Sequence, residues 1–193
     1  MDTAGAESYI HIPKEDEDYV SDILIREGAT GPFVVLNPGA KSHIKRWRPE
    51  GFAVVADRLY SECGVRPIFI GTENDKEVVA AVTAKMKGPH HNIINKTNIR
   101  QLAALIKRSK LLITNDSAPL HIGCAVGAKV LAVFGPTDYR KYGPTGEFDI
   151  VVAKKLHCSP CESAECVYGH ECMKLVSADE VFDNAKVMVE GYE

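Results

Sequence analysis

Lys110-Leu-Leu-Ile-Thr-Asn-Asp-Ser-Ala-Pro-Leu-His-Ile-Gly-Cys-Ala-Val-Gly127 decides the fold. An apolar run ends in Asn115-Asp116-Ser117, and a compact helix follows with Pro119 in its first turn and His121 one turn along. Proline suits a first helical turn, where its missing N–H would have no partner in any case. A short, unbroken apolar run reads as a strand buried on both faces. A buried strand feeding a polar helix start is where α/β proteins hold phosphates and sugars.

The same grammar extends in both directions. Phe33–Leu36, Pro67–Ile70, Leu111–Ile113, Val130–Phe134 and Ile150–Val152 are short and nearly continuous apolar runs, with Asn92–Ile94 as a further strand. Helical patterns lie between them, roughly Pro49–Glu62, Asn74–Lys87, Ile99–Arg108 and Ala118–Val126, with Ala178–Glu190 as the last helix. Gly64 and Gly127 stand where helices should stop. Strand–helix alternation predicts βαβ units and an α/β fold with a doubly wound, Rossmann-like parallel sheet. Met1–Ser8 reads as a frayed leader, Pro13–Glu27 as an acidic helix, and Gly28–Pro32 as its break.

The 193 residues are 45% hydrophobic and 25% charged with a net charge of −3, enough for one well-buried domain. No basic face stands out, which argues against nucleic acid as a partner. The most basic cluster, Lys41–Arg48, is local and fits a grip on one anionic ligand. No apolar run reaches membrane-spanning length and no signal peptide is visible, so the expected location is cytoplasmic.

Strand C-termini of a parallel sheet share one edge, and here four of them carry polar or glycine-containing loops. These are Asn37-Pro-Gly-Ala40 with Lys45-Arg-Trp47, Gly71-Thr-Glu73, Asn115–His121 and Phe134-Gly-Pro-Thr137. Neither GxxxxGK[ST] nor GxGxxG is present. Lys45, Arg46 and a helix N-terminus still favour an anion, whereas Asp116 would repel phosphate unless it serves hydroxyl groups. Glu73, at another strand end, suits the paired hydroxyls of a ribose. Phosphate, ribose and a second sugar together describe a nucleotide-sugar.

In this order, these motifs resemble the C-terminal half of the family 9 glycosyltransferases, the ADP-heptose:lipopolysaccharide heptosyltransferases. The resemblance runs from about Phe33 to the C-terminus. It implies a GT-B enzyme whose C-terminal domain, residues 33–193 here, holds the donor, with residues 1–32 as leader and interdomain segment. It assigns donor-binding roles to Lys45 (diphosphate and sugar), Glu73 and Thr97 (adenosine), Asp116, the Ser117–Ala118 turn, and His121. Position 118 is often glycine in the family, which matters if the backbone there needs positive φ. The resemblance further implies ADP-heptose as donor substrate with no cofactor and no metal. A lipopolysaccharide core acceptor and a catalytic base are expected on an N-terminal domain without counterpart in these residues. On this reading the isolated chain binds donor but transfers nothing, and only the full enzyme would touch the cytoplasmic face of the inner membrane.

Two alternatives stand beside it: a stand-alone nucleotide-binding module, and the donor domain of an enzyme using another nucleotide-sugar. Cys158, Cys161, Cys166 and Cys172, flanked by His157 and His170, admit three states. They are a tetrahedral metal site, reduced structural thiols, or disulfides formed on handling.

Overall fold

Strand and helix alternate from one end of the chain to the other in the computed structural model, which describes residues 9–191; the leader expected at Met1–Ser8 lies outside them. In chain order the elements are α1 (Lys14–Arg26), β1 (Phe33–Asn37), α2 (Pro49–Cys63), β2 (Arg66–Phe69), α3 (Lys76–Thr83), β3 (His91–Asn92), α4 (Ile99–Arg108) and β4 (Leu112–Asn115). Then follow α5 (Ala118–Ala125), β5 (Val130–Phe134), α6 (Tyr139–Tyr142), β6 (Ile150–Ala153), α7 (Glu171–Lys174) and α8 (Ala178–Glu190). Two 3-10 turns, His43–Lys45 and Glu73–Asp75, follow the ends of β1 and β2.

The six strands pair in the order β3-β2-β1-β4-β5-β6, all parallel. Their continuous apolar character follows from burial on both faces. Val34, Leu36 and Ile113 point to one layer with Phe52, Val55 and Leu59 of α2, Val79 and Val82 of α3, and Phe182 and Met188 of α8. Val35, Leu112, Val130 and Ala132 point to the other, with Val20, Ile23 and Leu24 of α1, Leu105 and Ile106 of α4, and Leu120 of α5. The doubly wound α/β sheet expected from the sequence is therefore present, and α1 is part of its second apolar layer.

Gly64 and Gly127 adopt left-handed backbone at φ 67 and 66, as helix stops require. Two boundaries differ from expectation. The 74–87 helix runs only from Lys76 to Thr83, because a 3-10 turn precedes it and the carboxylate of Asp57 takes the Lys87 and Gly88 N–H groups, both at 2.9 Å. The strand expected at 92–94 pairs at His91–Asn92 instead. There the Asn92 side chain accepts from Ile94 N at 2.9 Å and Asn95 turns to φ 56, so the ladder turns irregular, though Ile93 N and Asn95 N still donate to Phe69 O and Gly71 O, both at 2.9 Å.

Candidate functional site: the crevice between β1 and β4

β1 and β4 are neighbours in the sheet, but their connections part. β1 leads to α2 on one face and β4 leads to α5 on the other. That reversal opens a crevice beyond the strand ends, the usual ligand position in open α/β sheets.

Two ionisable side chains meet there. Lys45, the last residue of the 3-10 turn after β1, places Nζ 2.7 Å from Asp116 Oδ2, the first residue after β4. Asp116 is buried and Lys45 keeps about a third of its side chain exposed (32%). The Asp116 oxygen has no hydrogen bond of its own, so its contact with the ammonium is ionic. The repulsion expected between Asp116 and a phosphate is thus offset by the lysine beside it. Arg46 donates from Nε to Ala40 O at 2.9 Å, which folds its guanidinium back over the same loop.

Ser117 precedes α5 with extended backbone and makes no capping bond to the helix. Its hydroxyl accepts from Asn37 Nδ2 at 2.7 Å instead; its carbonyl takes the Leu120 N–H at 3.1 Å and Pro119 has none, so Ala118 N is the first-turn donor that Ser117 leaves unserved. Ala118 opens α5 in helical backbone and is not among the positive-φ residues. The positive φ that would have demanded glycine at position 118 is absent, and alanine is compatible with this turn.

Glu73 lies away from the pair. It is exposed, with Oε1 2.5 Å from Lys76 Nζ and Oε2 3.5 Å from Asn95 Nδ2. The acid that turns inward is Asp75. Its carboxylate accepts from Thr72 N and Oγ1, both at 2.8 Å, and packs against Gly39 and Gly71. A Cβ at Gly39 would collide with that carboxyl group, which is why the Asn37-Pro-Gly loop carries glycine there. Thr97 is half-buried in the loop before α4; the cap of α4 is Asn98, in a reciprocal capping box with Gln101. His121 is exposed on α5 and lines a separate groove of about 850 Å³ with Tyr9, Lys107, Cys124, Lys141 and Tyr142. Lys45, Asp116, Ser117 and Ala118 thus come together, while Glu73 and His121 face other surroundings.

Beneath the pair lies a polar floor that sequence reasoning did not assign. Asn37, Thr114 and Asn115 are all buried. Asn37 Nδ2 donates to Thr114 Oγ1 at 2.9 Å, and Asn115 Nδ2 donates to Pro38 O at 2.8 Å. Both asparagines end their strands, and an Asn closing an otherwise apolar run was the available signal.

Cys158, Cys161, Cys166 and Cys172 line a cavity of about 90 Å³ together with Ile44, Pro136 and His170. All six cysteines are free thiols. Burial, and then the charges of the three neighbouring thiols, push the Cys172 thiol up. Among the described residues no group of three or more His, Cys, Asp or Glu side chains is arranged to hold a metal ion, and no helix is long and apolar enough to cross a membrane.

The comparisons with known proteins bear on family and fold. The family model described as glycosyltransferase family 9 (heptosyltransferase) matches residues 2–171. Lipooligosaccharide heptosyltransferase 2 of Campylobacter jejuni is 31% identical over 179 residues, covering 90% of this chain and 55% of that protein. A family 9 glycosyltransferase from Veillonella parvula superposes with a TM-score of 0.85 at 28% identity, over 94% of this chain and 53% of that one. The ADP-heptose lipopolysaccharide heptosyltransferase II of E. coli superposes at 0.79 with 19% identity, a likeness of fold. The chain spans about half the length of the Campylobacter relatives it matches. With the motifs, the switch-point crevice and a family model matched over most of its length, the chain belongs to glycosyltransferase family 9.

Proposed function

We propose that the chain is the donor-binding half of a heptosyltransferase of lipopolysaccharide core assembly, with ADP-heptose as donor. The observation that carries this reading is the Lys45–Asp116 pair set at the crevice between β1 and β4, beside the open start of α5. A diphosphate is recognised there by the Lys45 ammonium and the Ala118 N–H at the start of α5. Asp116, balanced by Lys45, accepts hydrogen bonds from sugar hydroxyls, and Asp75 and Glu73 offer carboxylates towards the nucleoside side of the rim.

In the whole enzyme an acceptor hydroxyl attacks the anomeric carbon as the bond to the diphosphate oxygen breaks. The electron pair leaves with ADP, and the hydroxyl proton passes to a base supplied by the other half of the protein. Lys45 and α5 stabilise the charge that develops on the leaving diphosphate, help that grows toward the transition state. The chain alone binds donor without transferring it. The lipopolysaccharide core acceptor and contact with the cytoplasmic face of the inner membrane belong to the whole enzyme.

Calorimetry of the chain with ADP, UDP and ADP-heptose tests this. ADP binds, the heptose adds affinity, and Lys45→Ala weakens ADP at least tenfold, about 1.4 kcal/mol. Tighter binding of UDP assigns a different donor. ADP binding without any gain from the sugar supports a plain nucleotide module, and no binding to any of the three overturns the donor-site reading.

A further inference from the structure

Asn115 is fully buried, 0% exposed, so it cannot itself meet a ligand. Its amide nevertheless holds both ends of the loop that carries Lys45. Oδ1 accepts from Trp47 N at 3.0 Å, and Nδ2 donates to Pro38 O at 2.8 Å and Gly39 O at 3.4 Å. The orientation of the amide is fixed by chemistry: a backbone N–H can only donate and backbone carbonyls can only accept. Lys45 stands two residues before Trp47, and Asp116 directly follows Asn115.

Asn37 makes the reciprocal connection. From the end of β1 it reaches across to Thr114 Oγ1 and Ser117 Oγ on the β4 side. Each strand end therefore grips the loop of the other, across the place where the crevice opens. Trp47, anchored a second time through Nε1 to Val176 O at 3.1 Å, leaves the Lys45 backbone little freedom.

We propose that Asn115 is a positioning residue for the donor site, holding the Lys45 ammonium at the height of Asp116 by tying residues 38–47 to the end of β4. The proposal rests on the donor-binding reading above. A preset ammonium binds an anion without first ordering its own loop.

The test is a double-mutant cycle with ADP as probe, backed by the fluorescence of Trp47, the sole tryptophan of the chain. Asn115→Ala raises the Kd for ADP about tenfold while far-UV circular dichroism is retained; in a Lys45→Ala background the same change adds less than about twofold, because both act through one group. Trp47 emission shifts to the red and its quenching by acrylamide rises. Asn115→Asp conserves volume but sets a carboxylate oxygen against two carbonyls, and it serves as the second variant should Asn115→Ala not fold. Unchanged ADP affinity, or an equal loss in both backgrounds, overturns the proposal. If the unmodified chain binds no ADP, the donor reading fails on its own; Trp47 quenching then decides the clamp, and unchanged quenching in both Asn115 variants overturns it.

Discussion

The indole of Trp47 lies directly over the Cα of Gly51, one turn into α2, where a Cβ would collide with three of its ring carbons. Ordinarily alanine improves a helix by up to about 1 kcal/mol relative to glycine. Here the ring is held through both its backbone N–H and its indole N–H, so it cannot step aside. Overpacking of this kind costs about 1–3 kcal/mol, and it wins. Gly51→Ala is expected to lower the Tm by a few degrees in a calorimetric scan; a higher Tm would show that the ring yields. At this scale the sequence was legible where a residue acts through its own position. Lys45 and Asp116 announce themselves as charges at strand ends. Glu73 and Asp75 do not sort themselves, because which carboxylate turns inward depends on the 3-10 turn that wraps Asp75 onto Thr72. The roles of Asn37 and Asn115 are set by a neighbouring strand separated by 68 to 80 residues in sequence, and no local pattern carries that information.

Among the elements, those with a repeating pattern were legible. Five apolar runs and the longer amphipathic helices appear close to where periodicity puts them, since burial on two faces or one stripe leaves a repeated mark. α6 and α7, of four residues each, leave no such mark. β3 reads one residue late, at 92–94, because two paired residues at the sheet edge are too few to alternate. α4 shows a further local device. Its Asn98–Gln101 capping box satisfies two backbone N–H groups at 2.9 and 3.0 Å. Asn98→Ala is expected to cost about 1 kcal/mol. The urea midpoint should fall at constant slope, and no fall would show that water replaces the cap.

For the molecule as a whole, three part-buried thiols make stability depend on pH in the alkaline range. Cys63, Cys124 and Cys172 are each pushed above the ordinary thiol value of 9.0, with burial as the largest cause in every case. In the unfolded chain the same thiols ionise at ordinary values. Their contribution to stability is therefore fully present below about pH 9 and is lost as pH rises through the raised folded values. Urea midpoints at pH 7.5 and 9.5 should show that loss, and Cys124→Ala should reduce it; a midpoint independent of pH would sink the account. The sheet also divides the interior into two apolar layers that share no helix, and α1 covers one of them. Val20, Ile23 and Leu24 are at most 5% exposed, and burial of each such side chain is worth about 1.5–3 kcal/mol. Against a typical total of about 5–15 kcal/mol, that is no trimming. Tyr19 adds a bond to Lys96 O at 2.6 Å, and the buried carboxylate of Asp16 meets Arg100 Nε at 3.1 Å. The seam along which this half could be excised, swapped or grafted onto another protein therefore lies before Lys14 and not at the first strand. A piece begun at Phe33 would carry every ligand-facing residue named above and strip Val20, Ile23 and Leu24 from the layer that α4 and α5 share.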